Sequence, residues 1–145
     1  MYHGGVDADI RQTVAAFLAR GPWAVVGASA DRNKYGNRVL RAYLQTGREV
    51  YAVNPGKTSI EGVACFPSLR DLPVPVGGVS VITPPGVTER IVEDLPASGA
   101  TVVWMQPGAE SRRAVARAQE LGLTVIAGGP CALVALGYRE GGAPR

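Results

Sequence analysis

Cysteine is scarce in this chain, and so are histidine and lysine. Cys65 and Cys131 are the two cysteines, too few for a disulfide framework or a zinc cluster. His3 is the single histidine, and it lies in an N-terminal stretch that reads as loose and solvent-facing, which argues against imidazole chemistry. No apolar run approaches the roughly 20 residues that span a bilayer, so no membrane partner is expected. The opening MYHGGVDADI lacks the basic start and apolar core of a signal peptide, and a cytoplasmic location is expected. Dense Lys or Arg runs are missing as well, and the net charge is only +3, so nucleic acid is a poor candidate partner. That mild excess equally suits a small, highly anionic ligand.

What is present reads as one compact domain. The chain has 145 residues, 46% of them hydrophobic and 19% charged, enough for a core without staples. A helix over 7–19 places Ile10, Val14, Phe17 and Leu18 on one face and stops at Gly21-Pro22. Apolar runs at 23–28, 49–53, 79–83, 101–105 and 123–127 read as strands, with a shorter piece at 63–66. Helical patterns separate them: one through Val39, Leu40, Tyr43 and Leu44 to Gly47, a turn at 68–72, one through Val87, Ile91 and Leu95 to Gly99, and one carrying Ala114, Val115, Ala118 and Leu121. The run PCALVALGY is a final short helix. Near-continuous apolar strands alternating with helices predict an α/β fold, a single-domain doubly wound parallel sheet of Rossmann-like type with helices on both faces. Residues 1–20 are expected to form a helix packed on the domain, 21–138 the domain proper, and 139–145 a flexible tail.

In such a sheet a ligand lies outside the carboxyl ends of the strands, where strand order reverses. The loops expected there span 27–36, 54–57, 83–88, 106–109 and 128–131, and each carries Gly or Pro. Glycines let backbone N–H groups approach a phosphate, and the following helix N-terminus favours its charge. Lysine sharpens the pattern. Only Lys34 and Lys57 break an otherwise all-arginine set of cations, both fall in these loops, and lysine is a compact point charge suited to phosphate.

A dinucleotide fingerprint is G-x-G-x-x-G with an acidic residue at the end of the second strand. Here the turn is Gly27-Ala28-Ser29, the next glycine is Gly36, and the second strand ends in Val53-Asn54-Pro55. NAD fits poorly; NADP is weakened less, because it does not require the acid.

The turn GAS with Lys34 and Gly36, VNP at 53–55 and VWMQPG at 103–108 together resemble the stand-alone CoA-binding domain family, related to the N-terminal domain of the succinyl-CoA synthetase alpha subunit. The likeness covers roughly residues 20 to 137, with the motifs in order on the expected strand ends. It implies a Rossmann-like fold binding coenzyme A or an acyl-CoA. Gly27, Ala28, Ser29, Lys34 and Gly36 would hold the pyrophosphate and the nearby 3′-phosphate. Asn54, Pro55 and Lys57 match the loop that meets the adenosine end. Thr83, Pro84 and Pro85 match the loop facing adenine or the start of the pantetheine arm, and Gln106, Pro107 and Gly108 the loop nearer the thiol. Two departures stand out: Gly77-Gly78 occupies a place where many relatives carry an acidic residue, and Gly128-Gly129-Pro130 precedes the late cysteine in place of a charged pair.

No catalytic constellation emerges. The synthetase's phosphorylated histidine lies in a separate domain beyond these 145 residues, so ligase activity is not expected to carry over. Ser29 lacks an assignable base, and its turn is not the G-x-S-x-G elbow. Cys131 opens the last helix, where a dipole would favour a thiolate, although a small buried apolar role is the simpler reading; Cys65 reads as core. Glu89 and Glu110 are expected in the first turns of helices, where they offset the dipole. The expectation is therefore CoA binding without catalysis. The alternatives are an NADP-dependent oxidoreductase and a vestigial nucleotide-binding module for a protein partner.

Overall fold

A computed structural model describes residues 8–141; His3 and residues 142–145 lie outside them. Seven strands form one sheet in the order β3-β4-β2-β1-β5-β6-β7. β1 is Trp23–Val26, β2 Val50–Val53, β3 Ser59–Ile60, β4 Val63–Phe66, β5 Gly78–Val81, β6 Val102–Met105 and β7 Thr124–Ile126. The helices are α1 (Ala8–Ala19), α2 (Tyr35–Gln45), α3 (Pro85–Ile91), α4 (Leu95–Ser98), α5 (Arg112–Glu120) and α6 (Ala132–Ala135).

Strand character follows from burial on both faces. Every residue of β1 and of β5 is buried, so nearly unbroken apolar runs replace polar alternation. Successive side chains still point to opposite sides. Ala24 and Val26 join a core with Val79, Val81, Leu95, Val103 and Met105 under α3, α4 and α5. Trp23 and Val25 join Phe17, Leu40, Tyr43 and Trp104 under α1, α2 and α6. Phe17 meets Trp104 edge-on with ring centroids 5.3 Å apart, which seats α1 on the sheet. Gly77 and Gly78 have their reason here. A side chain at Gly77 would run into the Arg20 carbonyl, and one at Gly78 into the Phe17 ring.

β1 pairs in parallel with β2 on one side and β5 on the other. The chain winds outward through β2 and β4, then returns across β1 to build β5, β6 and β7. Strand order therefore reverses between β1 and β5. The registers Val26↔Val53, Val26↔Val81 and Val81↔Met105 bring four strand ends level. The loops that follow all emerge at one edge.

Three features depart from the sequence reading. The 63–66 piece gains an antiparallel partner, β3, through a tight turn whose Glu61 and Gly62 both have positive φ, 52° and 78°. Such turns match the twist of a hairpin but favour Asn-Gly over Glu-Gly, so the sequence hid it, and the sheet is mixed at this edge. The helix expected across 87–99 is instead α3, a 3-10 turn at Val92–Asp94 and α4. Pro96 lacks the N–H that would bond back one turn, and Gly99 closes α4 at φ 84°. Arg139, placed by the sequence reading in the tail, exchanges hydrogen bonds with Gln45: its N–H donates to Oε1 at 3.0 Å, and its carbonyl accepts from Nε2 at 2.7 Å.

Candidate functional site

The site begins where β1 ends. Gly27 turns the chain at φ 93°, and a side chain there would press on Ile82 and Thr83 at the end of β5 at 3.2–3.3 Å. Gly36, in the first turn of α2, faces back onto the same point: a methyl at Gly36 would overlap the Gly27 carbonyl oxygen. Two glycines thus let the β1 loop, the α2 N-terminus and the β5 loop converge at the point of strand reversal. Among the described residues, the backbone N–H groups of Ala28, Ser29, Tyr35 and Gly36 donate to no protein acceptor. They stand around a helix N-terminus that concentrates partial positive charge.

The loop between them is held in shape from below. Asn37, fully buried, donates through Nδ2 to the Ser29 carbonyl at 2.8 Å and to Glu61 Oε2 at 3.0 Å, and accepts from Arg41 Nε at 2.7 Å. Arg41 donates in turn to the Arg32 carbonyl at 3.0 Å, and Arg32 pairs with Glu61 at 3.3 Å. Ser29 Oγ accepts from the Asp31 N–H at 3.1 Å. Lys34 is the N-cap of α2 through its backbone, with no capping side-chain bond, and its side chain is exposed.

The second loop is tied to the first by one side chain. Asn54 Nδ2 donates to the Ala28 carbonyl at 2.8 Å, while Oδ1 accepts from the Gly56 N–H at 2.7 Å. The amide that stands where a dinucleotide fold carries an acid is thus engaged at both ends. Pro55 and Lys57 follow, exposed. Among the described residues neither Lys34 nor Lys57 forms an ion pair.

On the other side of β1, Thr83 Oγ1 and Thr88 Oγ1 lie 2.8 Å apart. The Pro84 carbonyl accepts from the Val87 and Thr88 N–H groups at 2.9 Å. Pro84 caps α3 and Pro85 begins it, both exposed at the rim. Gln106, Pro107 and Gly108 follow β6. Gly108, at φ 94°, donates its N–H to Glu110 Oε1 at 2.8 Å, and the other oxygen accepts from the Gly128 N–H at 3.4 Å. Glu110 therefore joins two loops and precedes α5, whose N-cap is Ser111, instead of lying in the first helical turn. Glu89 lies inside α3 and accepts from Ser111 Oγ at 2.8 Å, a bond between neighbouring elements.

Gln106 anchors a cluster the sequence did not show. Its Oε1 accepts from the Ala132 N–H at 2.7 Å and from Tyr35 Oη at 3.1 Å. Tyr35 Oη also lies 2.6 Å from Cys131 Sγ. One phenol has one proton; donating it to Gln106 leaves the Tyr35 oxygen to accept from the Cys131 thiol. Burial, and next the Cys131 bond, push the Tyr35 pKa well above the ordinary tyrosine value, so the phenol stays a donor. Gln106 Nε2 is buried without a partner, a donor left over at this end of the site. Cys131 is half-buried and precedes only four helical residues. Its environment is this hydrogen-bonded cluster, neither a long helix's dipole nor the sealed core of the sequence reading. Cys65 is buried, and burial raises its thiol pKa.

The sequence-predicted residues thus fall on one edge of the sheet. Gly27, Ala28, Ser29, Gly36, Asn54 and Thr83 meet around the β1 and β5 ends, Lys34 and Lys57 stand on flanking loops, and Gln106 connects through Tyr35. Tyr35, Asn37, Glu61 and Glu110 were missed. An aromatic immediately before Gly36 in a polar loop was the available signal for Tyr35. Among the described residues, no three His, Cys, Asp or Glu come together to hold a metal ion, and no helix is long and apolar enough to cross a membrane.

Fold and site define a doubly wound α/β domain with unpaired backbone N–H donors, among the described residues, gathered at its strand reversal. The match to the CoA binding domain model over residues 22–137 places the chain in that family. It is 34% identical over 71 residues to an ADP-forming acetate–CoA ligase of Archaeoglobus fulgidus, a match covering 49% of this chain and only 10% of the ligase. The uncharacterised protein YneT of Bacillus subtilis is 33% identical over 107 residues, 71% of this chain and 76% of YneT. A solved hypothetical protein from Pyrococcus horikoshii superposes with a TM-score of 0.79 at 33% identity, covering 90% of this chain and 92% of that one.

Proposed function

We propose that this chain binds coenzyme A along the carboxyl ends of β1, β2, β5 and β6 and carries out no catalysis of its own. The observation that supports this best is the group of free backbone N–H donors at Ala28, Ser29, Tyr35 and Gly36, gathered by the Gly27–Gly36 contact. Such donors at a helix N-terminus are the complement of a pyrophosphate. Lys34 beside them and Lys57 on the next loop, both without ion pairs, suit a ligand with two separate phosphate clusters. Pro84 and Pro85 would face the adenine or the start of the pantetheine arm, and Gln106, Pro107 and Gly108 the thiol end. The engaged amide of Asn54 speaks against NAD, whose ribose calls for an acceptor at that strand end. Against catalysis stand the Tyr35 hydroxyl and the Cys131 thiol, spent on each other and on Gln106. A role as a carrier, a sensor or a presenter of CoA to a protein partner fits this reading.

Isothermal titration calorimetry with CoA, NADP⁺ and ATP tests it, with Lys34→Ala as the comparison. Micromolar CoA binding is expected, weakened in the variant by about 1–3 kcal/mol for a charge-assisted phosphate contact. Absence of CoA binding, or tighter NADP⁺ binding, overturns the proposal.

A further inference from the structure

Beside the thiol end of the site, α1 and α6 flank a groove of about 490 Å³. Val14 and Leu18 line it from α1, Val134 and Ala135 from α6, and Pro130 and Cys131 from the loop before α6, with Arg11 the only charged residue among the described ones. Val134 is 81% exposed. The groove is not isolated from the proposed ligand site, because Cys131 belongs to both. Its sulfur lies 2.6 Å from Tyr35 Oη, which bonds Gln106 at 3.1 Å, and Gln106 stands on the loop assigned to the thiol end. At this junction Gln106 Nε2 lacks an acceptor. A ligand crossing from one site to the other would bring a polar group first and an apolar tail after it.

We infer that this groove takes the acyl chain of an acyl-CoA thioester whose nucleotide occupies the carboxyl edge of the sheet. The inference rests on the CoA-binding reading and extends it to the substrate class. A thioester carbonyl lies between the CoA sulfur and the chain, and the fully buried Gln106 Nε2, a donor without an acceptor, stands behind Cys131 through Tyr35 as the group a carbonyl entering there would satisfy. The lining then offers methyl and methylene surface with almost no polar group, which suits an unbranched saturated tail. A protein interface sets an apolar centre within a polar rim, and among the described residues this lining offers Arg11 as its one charged group.

Calorimetry on the full chain with CoA, acetyl-CoA and octanoyl-CoA tests the inference, using Val134→Asp and, separately, Ala135→Asp; both residues are exposed, so folding is expected to survive. Full burial is worth about fourfold in affinity per methylene, and an open groove buries each only in part. Octanoyl-CoA is therefore expected to bind about tenfold tighter than CoA, and acetyl-CoA about as tightly as CoA. Either aspartate variant removes the octanoyl advantage and leaves CoA affinity unchanged. The inference fails, with CoA binding itself intact, if octanoyl-CoA gains nothing over CoA or keeps its gain in both variants. It also fails if light scattering shows a dimer that Val134→Asp dissociates, since a second copy then covers the groove. Absence of binding by every one of these ligands refutes the CoA-binding reading first, and this inference with it.

Discussion

Gly36→Ala is the substitution on which the site geometry stands or falls. The added methyl would overlap the Gly27 carbonyl oxygen, with the carbonyl carbon at 3.1 Å and Ala28 Cα at 3.5 Å. All are backbone atoms, and none is free to move. The Gly27 N–H is bonded to the Val53 carbonyl at 3.2 Å, and the Ala28 carbonyl to Asn54 at 2.8 Å. Relief must come from α2, whose first turn has to move outward. Overpacking of this kind costs about 1–3 kcal/mol, while alanine's better helix propensity returns about 0.5–1 kcal/mol. A net loss of about 1–2 kcal/mol follows, and for a domain of this size it lowers Tm by about 3–8 °C. The retreat also carries the Tyr35 and Gly36 N–H groups away from the anion they are proposed to bind, so CoA affinity falls about tenfold or more.

Differential scanning calorimetry and CoA titration on the same preparation measure both effects. Gly86→Ala is the control, because a side chain there meets nothing within 4 Å and lies within α3; its Tm should equal or exceed that of the parent. Should Gly36→Ala keep both the parent Tm and the parent CoA affinity, the close approach of α2 to β1 is not what shapes the site.

Further perturbations probe what supports the site. Tyr43 and Ser80 share a buried hydrogen bond of 2.6 Å, so Tyr43→Phe should cost about 1–3 kcal/mol in urea unfolding by stranding the serine, and adding Ser80→Ala should recover most of it. Asn54→Leu frees the Ala28 carbonyl and the Gly56 N–H together, and CoA affinity should drop at least as far as in Lys34→Ala by calorimetry. Arg117 bonds Glu93 and holds its carboxyl below the ordinary value of 4.5. The stabilisation is thus complete above that value and is lost as pH falls through the lowered one; Glu93→Gln should make the acid limb of Tm against pH shallower.

Chain-local signals were legible, and pairings across the chain were not. Each apolar run between glycines became a strand, because a strand buried on both faces needs no alternation to be found. Gly27 and Gly36 were legible because a close backbone approach at a strand end calls for glycine, and their contacts show that approach. Tyr35, Gln106 and Cys131 were not joined by any local signal: their partners lie 71 and 96 residues apart. The Glu61–Gly62 turn was hidden because glutamate is a poor mark for positive φ, and its carboxylate, bonded to Asn37 and paired with Arg32, gives the reason it is tolerated there. Gly77 and Gly78 looked like a missing acid and proved to be the floor under Arg20 and Phe17.

The same long-range contacts order this edge of the sheet in advance of the ligand proposed for it. A loop that must order itself gives up about 1–2 kcal/mol per residue in backbone entropy. Here Asn37 and Asn54 have already fixed the 28–33 turn against α2, the β3–β4 turn and the β2 loop. Binding energy from the proposed phosphate contacts would then not be spent on folding the loop. The thiol end is different. Gln106 holds Tyr35 and the α6 start but keeps one unmatched donor, and Cys131 lines an apolar groove. Under the CoA-binding proposal, a pre-ordered phosphate end beside an unsatisfied thiol end favours a ligand that anchors through its nucleotide and completes its contacts through whatever its sulfur carries.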